Sequence, residues 1–346
     1  MKQRKEFEFG ANCFDIIRLV SAVLIVIGHT TQHLKVSVHL PGWDITGMWI
    51  GLFCLFTISG YLIPASLERS AGNKEFLIKR FVRLYPELWV ALAVSLGAVL
   101  IIGRRYNLSY NITDIFKWLA AQLTVFQFYT PGTIEAYGVG NPNGSLWTIS
   151  MEIQIYFAIM LMWKWIRKRS MIQWLCLIGG AVMINIGFAI AYNAIPGMIA
   201  KLINVTFIPY AYVFLIGMFC YAYRERIIPL ISQNFLKIAL AYYIWHSLNV
   251  LVFRVDLGHY SNVISGIFVS VLTMSGAYYF GKIRLKRELS YGLYIYHMIV
   301  INALVMFGWE GKWICVPVVL CISYVLAYFS SRFVEKPAMK IIHGGK

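Results

Sequence analysis

Runs of apolar residues recur along the chain, separated by short breaks rich in Lys, Arg, Gly and Pro. A helix needs ~20 predominantly apolar residues to cross a ~30 Å hydrocarbon core. Ten runs are predicted as spans, at approximately 13–33, 44–66, 84–103, 146–165, 171–193, 204–222, 235–253, 262–281, 290–308 and 313–333. No small-residue cleavage site follows His29 in the first run, and the rest of the chain stays apolar. That run is therefore predicted as a span and not as a signal peptide. No internal repeat or interdomain linker interrupts the pattern. The predicted fold is all-α: a polytopic membrane protein of about ten transmembrane helices, forming one domain over 1–346.

The breaks set the orientation. With the N-terminus inside, the inner segments hold 22 of the 31 Lys and Arg residues and the outer segments hold seven, while Arg18 and Lys237 fall within spans. The positive-inside rule then places both termini in the cytoplasm. The longest break, 104–145, is predicted outside and carries "WLAAQLTVFQF", a short interfacial or re-entrant helix. It ends in "GVGNPNGS", where Asn143 or Ser145 can cap the fourth span. On the inner side, "NKEFLIKRFVRLYPE" has the pattern of an amphipathic interfacial helix.

Hydrophobic residues make up 59% of the chain and charged residues 13%, against about 25% charged in a soluble domain. A single soluble core cannot hide that much apolar surface. The net charge of +16 would suggest nucleic acid in a soluble protein. Here the basic residues flank apolar runs, and no basic stretch outside them interleaves with stacking aromatics. Membrane lipids are therefore the expected contacts, and nucleic acid is not an expected partner. The six cysteines lie in or beside apolar runs with no CxxC pair, which indicates neither a metal site nor a disulfide framework.

Ionisable groups inside spans are costly and mark either function or a buried pair. Arg18 and His29 stand eleven positions apart in the first run. At ~100° per residue they share one helix face, ~16 Å apart along the axis. Asp15, three residues before Arg18, is placed to pair with it. Glu152 lies ~10 Å below the outer end of the fourth span, at a depth comparable to His29. A carboxylate there can fix the imidazole tautomer, as a general base for a hydroxyl requires.

The inner half collects Arg18, Ser59, Gly60, Tyr61, Arg80, Arg83 and His297. Arginines around small residues suit a phosphate-bearing ligand entering from the cytoplasm. Plainer roles stand beside these: Arg80 and Arg83 as headgroup anchors, Gly60 as a packing glycine, and His246 and His297 as intramembrane hydrogen-bonding groups. Glu152 as a purely structural pair is a further alternative.

With these residues in view, the chain resembles the acyltransferase-3 family of integral membrane O-acyltransferases. "FDIIRLVSAVLIVIGH" is similar to the family's opening, and "LFTISGYL" to its second-span signature, with Leu and Tyr where Phe is frequent. "RFVRLYP" resembles its Arg-x-x-Arg loop. "SLWTISMEIQIYF", "SYGLYIYH" and "FVEKP" follow in the family's order.

The resemblance implies an acyl-CoA donor, most simply acetyl-CoA, with no permanently bound cofactor and no metal. It implies as acceptor a hydroxyl of a cell-surface glycan or lipid-linked glycan, and a multi-pass location in the plasma (inner) membrane. His29 is the expected catalytic residue, with Glu152 orienting it. Arg18, Arg80 and Arg83 are expected at the donor, joined by Ser59, Gly60, Tyr61 and His297. Asp15, Ser145 and Trp147 are expected to orient or support the site. Some family members carry an extra hydrolase-like domain that these 346 residues do not contain. The chain is expected to work alone or with a separate protein. Two other classes fit ten spans with intramembrane His, Glu and Arg: a proton-coupled transporter or flippase, and a membrane sensor or scaffold without catalysis.

Overall fold

A computed structural model of the chain describes residues 7–37 and 46–343. Lys2, Arg4, Lys5 and Lys346, used in the topology count, lie outside them. The helices are α1 (Phe14–His33), α2 (Thr46–Glu68), α3 (Asn73–Arg105), α4 (Ile112–Leu123), α5 (Trp147–Ile166), α6 (Met171–Ala191) and α7 (Gly197–Asn204). They continue as α8 (Ala211–Ala222), α9 (Arg224–Gln233), α10 (Phe235–Leu248), α11 (Val263–Tyr279), α12 (Ser290–Met306), α13 (Cys315–Ser330) and α14 (Lys336–His343). The described residues contain no strand.

Each predicted run coincides with helix. Among the described residues, seven helices are long and apolar enough to cross a membrane. The number is eight if Gly197–Asn204 and Ile208–Ala222, bent by 53°, form one span. The two remaining runs are α11 and α12, apolar helices of 17 residues each, about 25 Å long at ~1.5 Å per residue.

One boundary differs from expectation. The amphipathic inner segment and the third span are a single helix, α3, of 33 residues with Pro86 inside it. Proline removes one N–H and crowds the carbonyl four residues back, and the remaining turns carry the helix through. At ~50 Å it is longer than a ~30 Å hydrocarbon core. Its basic first turns, stiffened by Lys79–Glu75 at 2.6 Å, therefore form an extension of the span.

The described chain gathers into two compact units, one of residues 1–21, 49–70 and 156–288, the other of 22–48, 71–155 and 289–346. In the first unit, α11 packs with α8, α9 and α10, and α6 with α8. Here α2 and α8 come close enough that a Cβ on Gly60 would lie 3.0 Å from Phe214 Cα, and one on Gly217 would lie 2.9 Å from Tyr61 N.

In the second unit, α12 packs with α3 and α13. A Cβ on Gly292 would come within 2.7 Å of Glu87 Oε1 and 2.8 Å of Ala327 Cβ, so only glycine lets the three helices meet there. The break at 104–145 folds onto this unit through α4. Asn111 caps α4 by accepting from Thr113 N at 2.9 Å, and Trp118 is fully buried against Leu92, Val99, Ile134 and Tyr137. Asp114 accepts from the Thr133 hydroxyl at 2.6 Å, which fixes the loop that follows. The helix begins earlier and stops earlier than the sequence pattern suggests, because Thr124 breaks the α conformation after Leu123.

Candidate active site

Every residue of α12 from Gly292 to Val300 is buried. His297 is completely so, and its Nε2 lies 2.8 Å from Nδ1 of His29 on α1. The rings are nearly parallel, with centroids 5.0 Å apart. The second His297 nitrogen, Nδ1, lies 2.6 Å from the Tyr294 carbonyl. A carbonyl only accepts, so His297 Nδ1 carries the proton. In the neutral ring Nε2 is then an acceptor, and His29 Nδ1 must donate to it.

His29, half-buried, is thereby left with a lone pair on Nε2. That atom has no hydrogen-bond partner among the described residues. His33, one turn further along α1, stacks on His29 at 5.7 Å.

The segment before α5 holds this pair from behind. The Tyr294 hydroxyl donates to the Ser145 carbonyl at 2.9 Å and lies 2.6 Å from the Thr148 hydroxyl. Asn143 Nδ2 donates to the Ile295 carbonyl at 2.8 Å, and the Ser145 hydroxyl donates to Asn143 Oδ1 at 3.1 Å. Neither Asn143 nor Ser145 caps the fourth span as expected, because their side chains are turned to α12 and to each other. Further along, fully buried Asn302 accepts from Val139 N at 2.8 Å and donates to the carbonyls of Asn141 and Pro142 at 3.0 and 3.1 Å. The turn is possible because Gly138 sits at φ +61°, against Asn302, where no Cβ fits. Residues 138–148 are thus stitched along α12 beside His297.

The partner that sets the tautomer of His29 is His297, where the sequence reading put Glu152. Among the described residues Glu152 makes no bond to His29; it lies within electrostatic reach of Tyr294 instead. Depth along a span does not fix which way a side chain points. Nor does a residue count from a helix end fix depth: His297, assigned to the inner, donor-binding group, stands against the outer-half histidine.

Asp15 pairs with Arg284 at 3.6 Å, and Arg284 is held near the start of α1 by donating to the Gly10 carbonyl at 3.2 Å. Arg18, Ser59, Gly60 and Tyr61 belong to the first unit, and Arg80, Arg83, Glu152, Ser145 and Trp147 to the second. Arg80 lies over the Phe76 ring at 5.7 Å. Gly60 stands at the crossing of α2 and α8. Tyr61 is fully buried, stacked on Phe9 and bonded to the Tyr278 hydroxyl at 2.7 Å. Both therefore have packing roles. Among the described residues, no group of three His, Cys, Asp or Glu side chains is placed to hold a metal ion.

A family profile for an acyltransferase domain matches residues 12–332, which include both histidines and the stitched segment. The chain belongs to the acyltransferase-3 family. Among its relatives, Nodulation protein 10 of Rhizobium leguminosarum bv. viciae is 28% identical over 95% of this chain and 94% of that protein. The O-acetyl transferase of Shigella phage Sf6 is 29% identical over 42% of this chain and 44% of that protein. Peptidoglycan O-acetyltransferase OatA of Listeria monocytogenes is 25% identical over 43% of this chain and 25% of its own. No solved structure matches the chain. Family membership makes the protein an acyltransferase, and its apolar helices make it a multi-pass membrane one.

Two residues of the site, and one buried carboxylate packed against α12, escaped the sequence reading. Tyr294 and Asn302 are polar groups in a span, and a buried Asn in "VINALV" was the available signal. Glu87, on α3, is a carboxylate only 1% exposed. Its signal was an acidic residue directly after Pro86, near the start of a predicted span.

Proposed function

We propose that the protein transfers an acyl group, most simply acetyl, from acyl-CoA to a hydroxyl of a glycan or lipid-linked glycan. We further propose that it does so as a single transmembrane domain of the plasma membrane with both termini cytoplasmic. The observation that carries the chemistry is the directed chain His29 Nδ1–H to His297 Nε2, then His297 Nδ1–H to the Tyr294 carbonyl. It leaves one imidazole nitrogen, Nε2 of His29, with an open lone pair.

In this reading His29 Nε2 takes the proton of the acceptor hydroxyl as its oxygen attacks the thioester carbonyl. The carbon–sulfur bond then breaks, and the proton passes from His29 to the departing thiolate. The products are the ester and free CoA. His297 is a positioning residue: it fixes the ring and accepts more strongly from His29 Nδ1 as positive charge develops there. Glu152 acts on the site through Tyr294. Arg80 and Arg83, on the basic turns of α3, remain proposed contacts of the donor phosphates, as do Arg18 and Ser59 from the sequence pattern.

The test is transfer of label from acetyl-CoA to an envelope glycan fraction by purified protein, wild type against His29→Ala. Transfer that persists equally in both sinks the reading. A labelled His29 peptide recovered from a quenched reaction replaces direct transfer by an acyl-histidine intermediate.

A further inference from the structure

The basic residues that close α2 and α5 and open α9 do more in the structure than mark topology. Arg167 is spent on Glu68, its Nη1 2.9 Å from Oε1, and Glu68 also accepts from Trp163 Nε1 at 2.8 Å and the Tyr221 hydroxyl at 2.7 Å. Arg169 lies over the Trp165 ring at 3.7 Å. Three further arginines stand after α2 and at the start of α9.

Arg69 covers the Phe9 ring at 5.2 Å and Arg224 the Tyr221 ring at 4.7 Å, and those two rings meet edge-on at 6.0 Å. Arg224 donates one hydrogen bond, to the Tyr221 carbonyl at 3.1 Å. The guanidinium groups of Arg69 and Arg226 donate none among the described residues. A polar cavity of about 190 Å³ opens between α8 and α9, lined by Tyr223, Arg224, Arg226 and one opposing carboxylate, Glu225.

Stacking uses the face of a guanidinium and leaves its N–H groups, five in the plane, free to bind. The aromatic rings therefore hold Arg69 and Arg224 rigid with nearly all their donors unspent, on segments that the Lys and Arg count assigns to the cytoplasm. Planar forks of this kind suit phosphate oxygens better than any neutral ligand.

We infer that Arg69, Arg224 and Arg226 form an anion site for a phosphate-bearing ligand, separate from the residues assigned to the donor above. Two sources share that chemistry: the phosphorylated nucleotide end of acyl-CoA and the phosphodiester of an anionic lipid. The nucleotide source rests on the proposed function; the site itself does not.

The experiment uses the full chain in phosphatidylcholine nanodiscs, titrated with 3′,5′-ADP, and in parallel measures retention of phosphatidylglycerol through purification. Wild type is compared with Arg69→Gln/Arg224→Gln and with Arg105→Gln as a basic-surface control. Loss of one charge-assisted contact weakens binding about tenfold or more. A drop of that size in 3′,5′-ADP affinity in the double variant alone assigns the nucleotide. Selective loss of phosphatidylglycerol assigns the lipid. Unchanged behaviour in both arms, or an equal drop in Arg105→Gln, overturns the site. If the double variant does not fold, Arg69→Lys and Arg224→Lys keep the charge and lose the fork, and they are expected to bind less tightly than wild type; equal binding overturns the site. His29→Ala is expected to bind 3′,5′-ADP as wild type does. Failure of label transfer in wild type therefore removes the proposed function without touching this result.

Discussion

Each unit holds one histidine cluster, and the two are built differently. In the second unit, His29 and His297 form a chain of donors that starts at an open ring nitrogen and ends on a backbone carbonyl inside the buried stretch of α12. In the first unit, His259 is tied into its own surroundings through Nε2 and its backbone. Its Nε2 meets Asn204 Oδ1 at 2.5 Å, Asn204 Nδ2 turns to the Tyr260 hydroxyl, and Asn185 clasps the His259 backbone, accepting from its N at 2.8 Å. Phe188 and Tyr192 pack their rings on it. One cluster ends in an open Nε2 with a chain of donors behind it, and the other spends Nε2 on tying α7 to the loop before α11 and packs the rest of its ring among aromatic side chains. A histidine in a membrane protein thus declares nothing by its presence. What matters is where its hydrogen-bond chain begins and ends.

The largest expected effect tests the open end. His29→Ala should lower the turnover of acyl transfer by about 10² to 10⁴-fold while leaving the thermal midpoint close to that of wild type. His259→Ala should do the reverse, losing stability and keeping turnover per folded molecule. Activity assays paired with thermal melts decide it. If both variants lose only stability, the distinction between the clusters collapses.

The next effect tests the chain behind the base. His297→Ala removes a hydrogen bond to a group that becomes charged, worth about 1.5–3 kcal/mol. Turnover should fall roughly tenfold to a hundredfold with little change in KM for the donor. His297→Gln, which can still accept from His29 Nδ1, should recover part of that. A rise in donor KM with turnover intact would instead return His297 to the donor-binding role first given to it from sequence.

Gly60 sharpens the comparison from the side of the first unit. Gly60→Leu forces side-chain atoms into the α2–α8 crossing, against the Phe214 backbone. Overpacking of this kind costs about 1–3 kcal/mol. The thermal midpoint should drop while donor KM per folded molecule stays put. An unchanged midpoint with a raised KM would place the residue at the donor after all.

These outcomes also bear on what the sequence could tell. The spans were legible because hydrocarbon thickness imposes a length that composition alone reveals, and even the 17-residue α12 stood out. His29 was legible because a titratable group deep in an apolar run has few reasons to be there. Its partner was not. Pairing Glu152 with His29 used depth alone, and depth leaves the rotation of each helix free. The stitches that join Pro142, Asn143 and Ser145 to α12 link residues about 150 to 160 positions apart. No periodicity within one segment encodes such contacts. Tyr61, a motif residue that resembles a family signature, also fills an aromatic core, which its motif does not announce.

The smallest effect separates the two clusters by pH. Burial holds His259, in the loop outside the spans, down from its ordinary 6.5 to about 4. Asn204 accepts from its Nε2, so the neutral ring keeps its lone pair on Nδ1, and protonation there would put a charge among Phe188, Tyr192 and Tyr260. Between those two values the unfolded chain takes up a proton that the folded chain refuses. Unfolding is then favoured as pH falls. The stability due to this latch is full above pH ~6.5 and is lost progressively toward pH ~4. His259→Gln has no such proton to bind. Thermal midpoints of wild type and His259→Gln, measured from pH 7.5 to 4.5 in the same detergent, should therefore converge as pH falls, the wild type losing its lead through this window. Curves that stay parallel would mean that His259 is not held neutral by its surroundings, and the closed cluster would need another account.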